Sequence, residues 1–282
     1  MRPASPTRMP PSSPRRSGTV LNRIRRHLTG AVVALEFLTP LRFRRVPRYD
    51  DHTFAESLGW YPLAGLLIGI VLLLVDEGLG RLLPRAPVAA IEVALLALLS
   101  GGLHLDGVAD TADGMAYQGD RAGRLGVMSE GNTGPAGVMA LVIVLLATWA
   151  ALASLESPVR AGGLVLAPAL ARWTVVPVAL LFRPARPRGL GRLMHEAAWP
   201  VAAPLATAIA LVAAVVLFAG AGVLLIVVGG IAAVLIAGAA ARMLDGVTGD
   251  VFGASIEVSQ VVIWYALIAA AARGAIEPFL FG

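Results

Sequence analysis

Three aspartates in the segment Gly101-Gly-Leu-His-Leu-Asp-Gly-Val-Ala-Asp-Thr-Ala-Asp-Gly114 stand at positions 106, 110 and 113. A helix turns about 100° and rises about 1.5 Å per residue, which puts Asp106, Asp110 and Asp113 on one narrow stripe about 10 Å long. Like charges at this spacing cost a bare helix roughly 0.2–0.5 kcal/mol per pair, and more where lipid takes water away. A cation among them removes the repulsion. Carboxylate oxygens select hard ions such as magnesium, manganese or calcium, and two such ions about 4 Å apart are one solution for phosphoryl transfer. The plainer reading is a solvated first turn, where aspartate suits the helix dipole. Gly107 and Gly114 argue against it, because each costs a helix about 1 kcal/mol and needs a reason such as close approach of substrate. His104, about 160° round the helix from Asp106, reads as a supporting residue, with metal ligation the alternative.

A second polar cluster, Asp245-Gly-Val-Thr-Gly-Asp-Val-Phe-Gly-Ala-Ser-Ile-Glu257, places Asp250, Ala254 and Glu257 at i, i+4 and i+7 behind a Thr248-Gly-Asp250 turn. Alone it is a loop with a helix start; beside the aspartate stripe it becomes a candidate second wall of one site. Arg172 stands inside an apolar run, where an ionisable group is expensive and faces a cavity or a partner. The stretch Arg186-Pro-Arg-Gly-Leu-Gly-Arg192 offers the backbone amides of Gly189 and Gly191, with arginines, to a nucleotide phosphate. An ordinary basic loop is the alternative. Glu130-Gly-Asn-Thr-Gly-Pro-Ala-Gly137 is a glycine-rich turn before another apolar run.

The elements that must carry these residues belong in lipid. The chain is 57% hydrophobic and 15% charged with a mean hydropathy of +0.76, more apolar surface than one soluble core buries. A span needs about 20 mostly apolar residues, and about seven stretches qualify: 58–75, 86–103, 134–155, 161–182, 198–219, 221–241 and 259–280. The fold expected is an all-α polytopic membrane bundle. The run Leu28–Leu41 is short and carries Glu36, which suits an interfacial or re-entrant helix. Residues 1–27 read as a disordered basic tail, leaving 28–282 as the membrane domain.

With the tail inside, every arginine lies inside except Arg81, Arg85 and Arg160 outside and Arg172 and Arg273 within spans, as the positive-inside rule requires. The loops 104–133, 183–197 and 242–258 then share the cytoplasmic face of a cell membrane. All 23 basic residues are arginine and the isoelectric point is near 10.6, but the arginines are spread through loops without interleaved aromatics, which excludes nucleic acid as the expected partner. There is no cysteine, hence no disulfide and no thiolate metal site.

Taken together, these motifs resemble the cobalamin synthase family, the adenosylcobinamide-GDP ribazoletransferases. The resemblance is carried by His104-Leu-Asp-Gly-Val-Ala-Asp-Thr-Ala-Asp-Gly114 and Thr248-Gly-Asp-Val-Phe-Gly-Ala-Ser-Ile-Glu257. Glu36-Phe-Leu-Thr-Pro, Tyr61-Pro-Leu-Ala-Gly-Leu-Leu-Ile-Gly69, Arg172 and Gly189-Leu-Gly191 follow in the same order. It implies a membrane enzyme that joins alpha-ribazole, or its 5′-phosphate, to adenosylcobinamide-GDP with release of GMP. It also implies Asp106 and Asp110 as ligands of magnesium and Asp113 as ligand or base. Asp250 and Glu257 follow as the next candidates, with Arg172 supporting phosphate. Many members carry Asp-Ser-Arg where this chain has Glu130-Gly131-Asn132, so no phosphate-contacting arginine is expected there. Two rivals are weaker. A CDP-alcohol phosphotransferase would show Asp-x-x-Asp-Gly-x-x-Ala-Arg, which is absent, and a cation transporter would carry its acids in mid-span.

Overall fold

The structure, a computed structural model, is described for residues 20–43, 51–198 and 202–276. Apolar runs give helices because a chain in lipid must satisfy every backbone N–H and C=O within itself. The described residues form α1 (Val20–Leu38), α2 (Asp51–Ser57), α3 (Tyr61–Leu79), α4 (Arg85–Leu99), α5 (Leu103–Ala116) and α6 (Arg121–Val127). They continue as α7 (Pro135–Ser154), α8 (Val159–Trp173), α9 (Val175–Leu181), α10 (Leu190–Ala197), α11 (Ala203–Leu244) and α12 (Gly249–Ala271). No strand occurs among them beyond an isolated bridge between Pro184 and Val247.

Five helical segments are long and apolar enough to cross a membrane, or six if α4 and α5 are counted as one bent span. The 42-residue α11 is itself broken at Phe218 and Ala219, whose backbone leaves the helical region. A methyl group on Gly222 would run into the Ala214 carbonyl. Residues eight apart on a straight helix are about 12 Å apart along its axis, so α11 is a hairpin of two antiparallel halves, matching the separate spans expected at 198–219 and 221–241. The protein is thus an all-α polytopic bundle. Its outward surface is apolar: Leu74, Leu146 and Leu235 are each more than half exposed.

In lipid the hydrophobic effect does not drive helices together, and close packing of small residues takes its place. The α3–α8 pair shows this: a methyl group on Gly65 would collide with the Pro168 carbonyl, and one on Gly69 would sit 2.6 Å from the Leu164 oxygen. On α11, Ala206, Ala210 and Ala214 and then Ala233, Ala237 and Ala240 recur at helical spacing with no exposure. Between the ends of α3, α4 and α8 away from α5, the buried Arg160 donates to Asp76 at 2.9 Å and to both oxygens of Glu92 at 2.8 and 2.9 Å. Arg160, expected in an outer loop, is instead the centre of a buried ion triad.

Two boundaries differ from the sequence reading. Helix α1 begins at Val20, inside the stretch read as a tail; residues 1–19 of that tail lie outside the described residues. The last span begins at Gly249, not near 259, because Ser255, Ser259 and Gln260 point into the bundle and are buried there. A polar inward face lowers the average hydropathy of a spanning helix without making it a loop.

Candidate active site

Helix α4 ends at Leu99, and after Ser100 the residues Gly101 and Gly102 take positive φ (59° and 77°), turning the chain through 87° into α5. The second apolar run does not continue straight through the first motif; α5 lies across the end of the bundle. Arg124 closes its C-terminus by donating to the carbonyls of Gly114 (3.0 Å) and Met115 (2.7 Å), where a cation suits the helix dipole.

The contact that builds the site is α5 against α12. A Cβ on Gly107 would lie 2.6 Å from the Asp250 carbonyl and 3.2 Å from the Gly253 Cα. The two glycines let the backbones touch and set Asp106 and Asp110 beside Asp250. Close helix packing, not approach of substrate, is what Gly107 serves, and Gly114 likewise receives the Met128 side chain. Asp250 occupies the first turn of α12, where the helix dipole favours a carboxylate, and accepts a hydrogen bond from Thr248 Oγ1 at 3.0 Å. Burial, then the charges of Asp106, Asp250 and Asp113, push the Asp110 carboxyl up to about 6.

The arginine-glycine loop is stitched over this edge. Ala185 N donates to Val247 O and Val247 N to Arg183 O, both at 2.9 Å. Arg183 also pairs with Asp245. Arg186 reaches Leu125 O at 2.9 Å and Ser129 Oγ at 2.7 Å. These ties close a cavity of about 210 Å³. One wall carries Asp106, Asp250, Thr248, Gly189, Gly191 and Arg186; Arg188 also lines it and has no hydrogen-bond or ion-pair partner among the described residues. Phe37 and Tyr61 line the cavity too. Their motifs matched the family pattern, but only packing of α1 and α3 against this end reveals their place.

Four expected site residues do not line the cavity: Asp110 stands one turn along α5 from Asp106, close to Asp250, and the other three lie elsewhere. Asp113 is buried, and its oxygens accept the backbone N–H groups of Gly134 (2.6 Å) and Gly137 (2.8 Å) at the start of α7. It anchors the turn before that helix. Arg172 does not line the cavity: it is buried between α8 and α12, donating to Pro168 O at 3.1 Å and Gln260 Oε1 at 2.9 Å. Glu257 also sits behind the cavity, with its Oε1 3.5 Å from Nδ1 of the buried His104. That distance is too long for a good hydrogen bond, and both ring nitrogens lack a partner. Burial holds the His104 imidazole below its usual range, with Glu257 opposing the shift.

Among the described residues no three His, Asp or Glu side chains converge closely enough to hold a metal by themselves. Magnesium characteristically takes only one or two carboxylates and completes its shell with substrate phosphates and water. The hard-oxygen pair Asp106 and Asp110, crowded by Asp250, fits that pattern.

The chain matches the family model for cobalamin-5-phosphate synthase over residues 30–268. It is 37% identical over 263 residues to an adenosylcobinamide-GDP ribazoletransferase of Pseudomonas paraeruginosa, covering 86% of this chain and 99% of that one. It is 33% identical over 243 residues to the protein of that name from Geotalea daltonii, covering 86% and 97%. No solved structure matches. With the two motifs brought to one cavity and the likeness running nearly end to end, the chain belongs to the cobalamin-5-phosphate synthase family.

Proposed function

We propose that this chain joins alpha-ribazole, or its 5′-phosphate, to adenosylcobinamide-GDP, giving adenosylcobalamin or its phosphate and GMP. The observation that carries the reading is one cavity lined together by Asp106 and Asp250, from two distant motifs, and by Arg186, Arg188 and a glycine loop. A ribazole hydroxyl oxygen forms a bond to the cobinamide-side phosphorus. The bond from that phosphorus to the bridging oxygen breaks, and GMP leaves with the oxygen. Asp250 accepts the hydroxyl proton, held for it by the Thr248 hydroxyl on its other oxygen. Arg188 and the Gly189–Gly191 backbone hold the diphosphate. Asp106 and Asp110 would hold magnesium, which when bound neutralises charge on the diphosphate and the departing GMP.

In this reading Asp113 keeps the glycine turn in place and does not ligate. Arg172 and Glu257 brace α8 and α12 behind the cavity, and His104 of α5 lines it. The membrane is the cell membrane, with the N-terminus and the site loops cytoplasmic. That orientation leaves the nucleotide end of a bulky corrinoid in water while the protein holds it at the bilayer surface.

The test is product analysis with the purified chain in lipid, given both substrates and a magnesium titration. GMP together with a completed corrinoid is the expected result. A corrinoid left unchanged at every magnesium concentration refutes the proposal.

A further inference from the structure

The cavity has a second wall that the transfer chemistry leaves unused. Phe37 and Leu38 at the end of α1, Tyr61 at the start of α3, Met194 on α10, and Phe252 and Ile256 on α12 line it. The rings of Phe37 and Tyr61 are nearly parallel, 17° apart with centroids at 6.1 Å. Phe37 is fixed from another side by the edge of Phe54 at 5.0 Å and 86°. A rigid aromatic platform is therefore built into one side of a cavity whose other side is set for phosphate. Rigid rings bind flat aromatic groups at little entropic cost and are worth more than their area alone.

Both substrates carry a flat base, and their polarity separates them. Guanine presents an exocyclic oxygen, an amino group and a ring N–H, and leaving any of these buried without a partner is costly. This wall offers nearly nothing to satisfy them. Its polar groups are two, both buried without a hydrogen-bond partner: the Tyr61 hydroxyl, with Ser57 beside it giving its own hydrogen to Phe54 O at 2.6 Å, and the His104 imidazole where α5 meets α12. Two isolated polar groups on an otherwise apolar aromatic wall fall short of what guanine's edge requires and suit a fused aromatic base with no exocyclic polar groups and a single free ring nitrogen.

We infer that Phe37 and Tyr61 form the subsite for the base of the acceptor nucleoside, the benzimidazole of alpha-ribazole, while guanine binds outside this wall. The assignment rests on the transfer reaction proposed above. It accounts for the Glu36-Phe-Leu-Thr-Pro and Tyr61-Pro-Leu motifs, since α1 and the start of α3 then hold the acceptor while the α5–α12 edge holds the diphosphate. The cavity of about 210 Å³ is smaller than the roughly 300–1,000 Å³ clefts that enclose whole drug-sized ligands, so the corrin ring stays outside it.

Binding to the full chain in lipid nanodiscs tests this, with alpha-ribazole and GDP titrated separately. Phe37→Leu keeps apolar volume and removes the ring; it is expected to weaken alpha-ribazole binding about two- to tenfold, the loss of one aromatic contact. Tyr61→Phe keeps the ring and removes the hydroxyl, and is expected to weaken alpha-ribazole severalfold. GDP binding measured on the same samples should stay within twofold, which also shows that each variant is folded. Free dimethylbenzimidazole should compete with alpha-ribazole and not with GDP. Weaker GDP binding with alpha-ribazole untouched would assign the wall to guanine and overturn the inference; so would two variants that bind both ligands normally. A wild-type protein that binds alpha-ribazole nowhere and forms no product would instead overturn the functional reading itself.

Discussion

Gly107→Ala adds one methyl group at the place where α5 touches α12. The new Cβ would sit 2.6 Å from the Asp250 carbonyl oxygen, and non-bonded atoms rest at about 3.5 Å, so the helices must part by nearly 1 Å. Asp106 and Asp110 ride on one helix and Asp250 on the other, and a misplacement of about 1 Å in a positioned site costs about 100-fold in rate. Stability should change little. Overpacking costs roughly 1–3 kcal/mol, and replacing glycine by alanine within a helix returns up to about 1 kcal/mol. The expected outcome is a folded, inserted protein whose GMP release in nanodiscs falls about 100-fold. Gly78→Ala is the control, since a methyl group there meets nothing within 4 Å. If Gly107→Ala releases GMP at a rate within about threefold of wild type, under 1 kcal/mol of barrier, the α5–α12 contact does not set the carboxylate geometry.

Other outcomes follow from the same geometry. Asp113→Ala strips the N–H groups of Gly134 and Gly137 of their buried acceptor and should lower stability by about 2–4 kcal/mol, read as a drop in Tm; an unchanged Tm would return Asp113 to the candidate ligands. Arg160→Met strands Asp76 and Glu92 away from the site and should cost about 3–5 kcal/mol, while turnover per folded molecule holds. Because Asp110 is raised to about 6, it is ionised above that pH and protonated below it. Apparent magnesium affinity in a calorimetric titration should therefore be flat above about pH 7 and fall about fivefold from pH 6 to pH 5. Gln118→Cys should be labelled by an impermeant thiol reagent only from the cytoplasmic side, and Arg81→Cys only from the outside.

Much of the fold is legible because lipid imposes a length and a composition on each span. The hairpin in α11 can be read as two spans from its length, although a single apolar run hides the break at Phe218 and Ala219. The start of α12 escapes a hydropathy reading because Ser255, Ser259 and Gln260 face inward, where a window average counts them against a helix. The aspartate stripe follows from helical periodicity, while its proximity to Asp250 rests, in the sequence, on a shared membrane side alone. What periodicity does not carry is what lies opposite. Asp113 shares the stripe with Asp106 and Asp110, but only the turn at Gly134–Gly137 shows that its oxygens are taken. The rule that singles out Arg172, an ionisable group within a span, also applies to Glu92. Used there, it asks for a partner and leads to Arg160.

The central claim is that Asp106 and Asp110 hold the divalent ion while Asp250 handles the proton. Manganese binding followed by electron paramagnetic resonance, in the presence of GDP, tests it directly on the wild type and three single variants. Stoichiometric binding should be lost in Asp106→Asn and Asp110→Asn and kept in Asp250→Asn, which should nevertheless release no GMP in turnover. Undiminished manganese binding in both Asp106→Asn and Asp110→Asn would contradict the account.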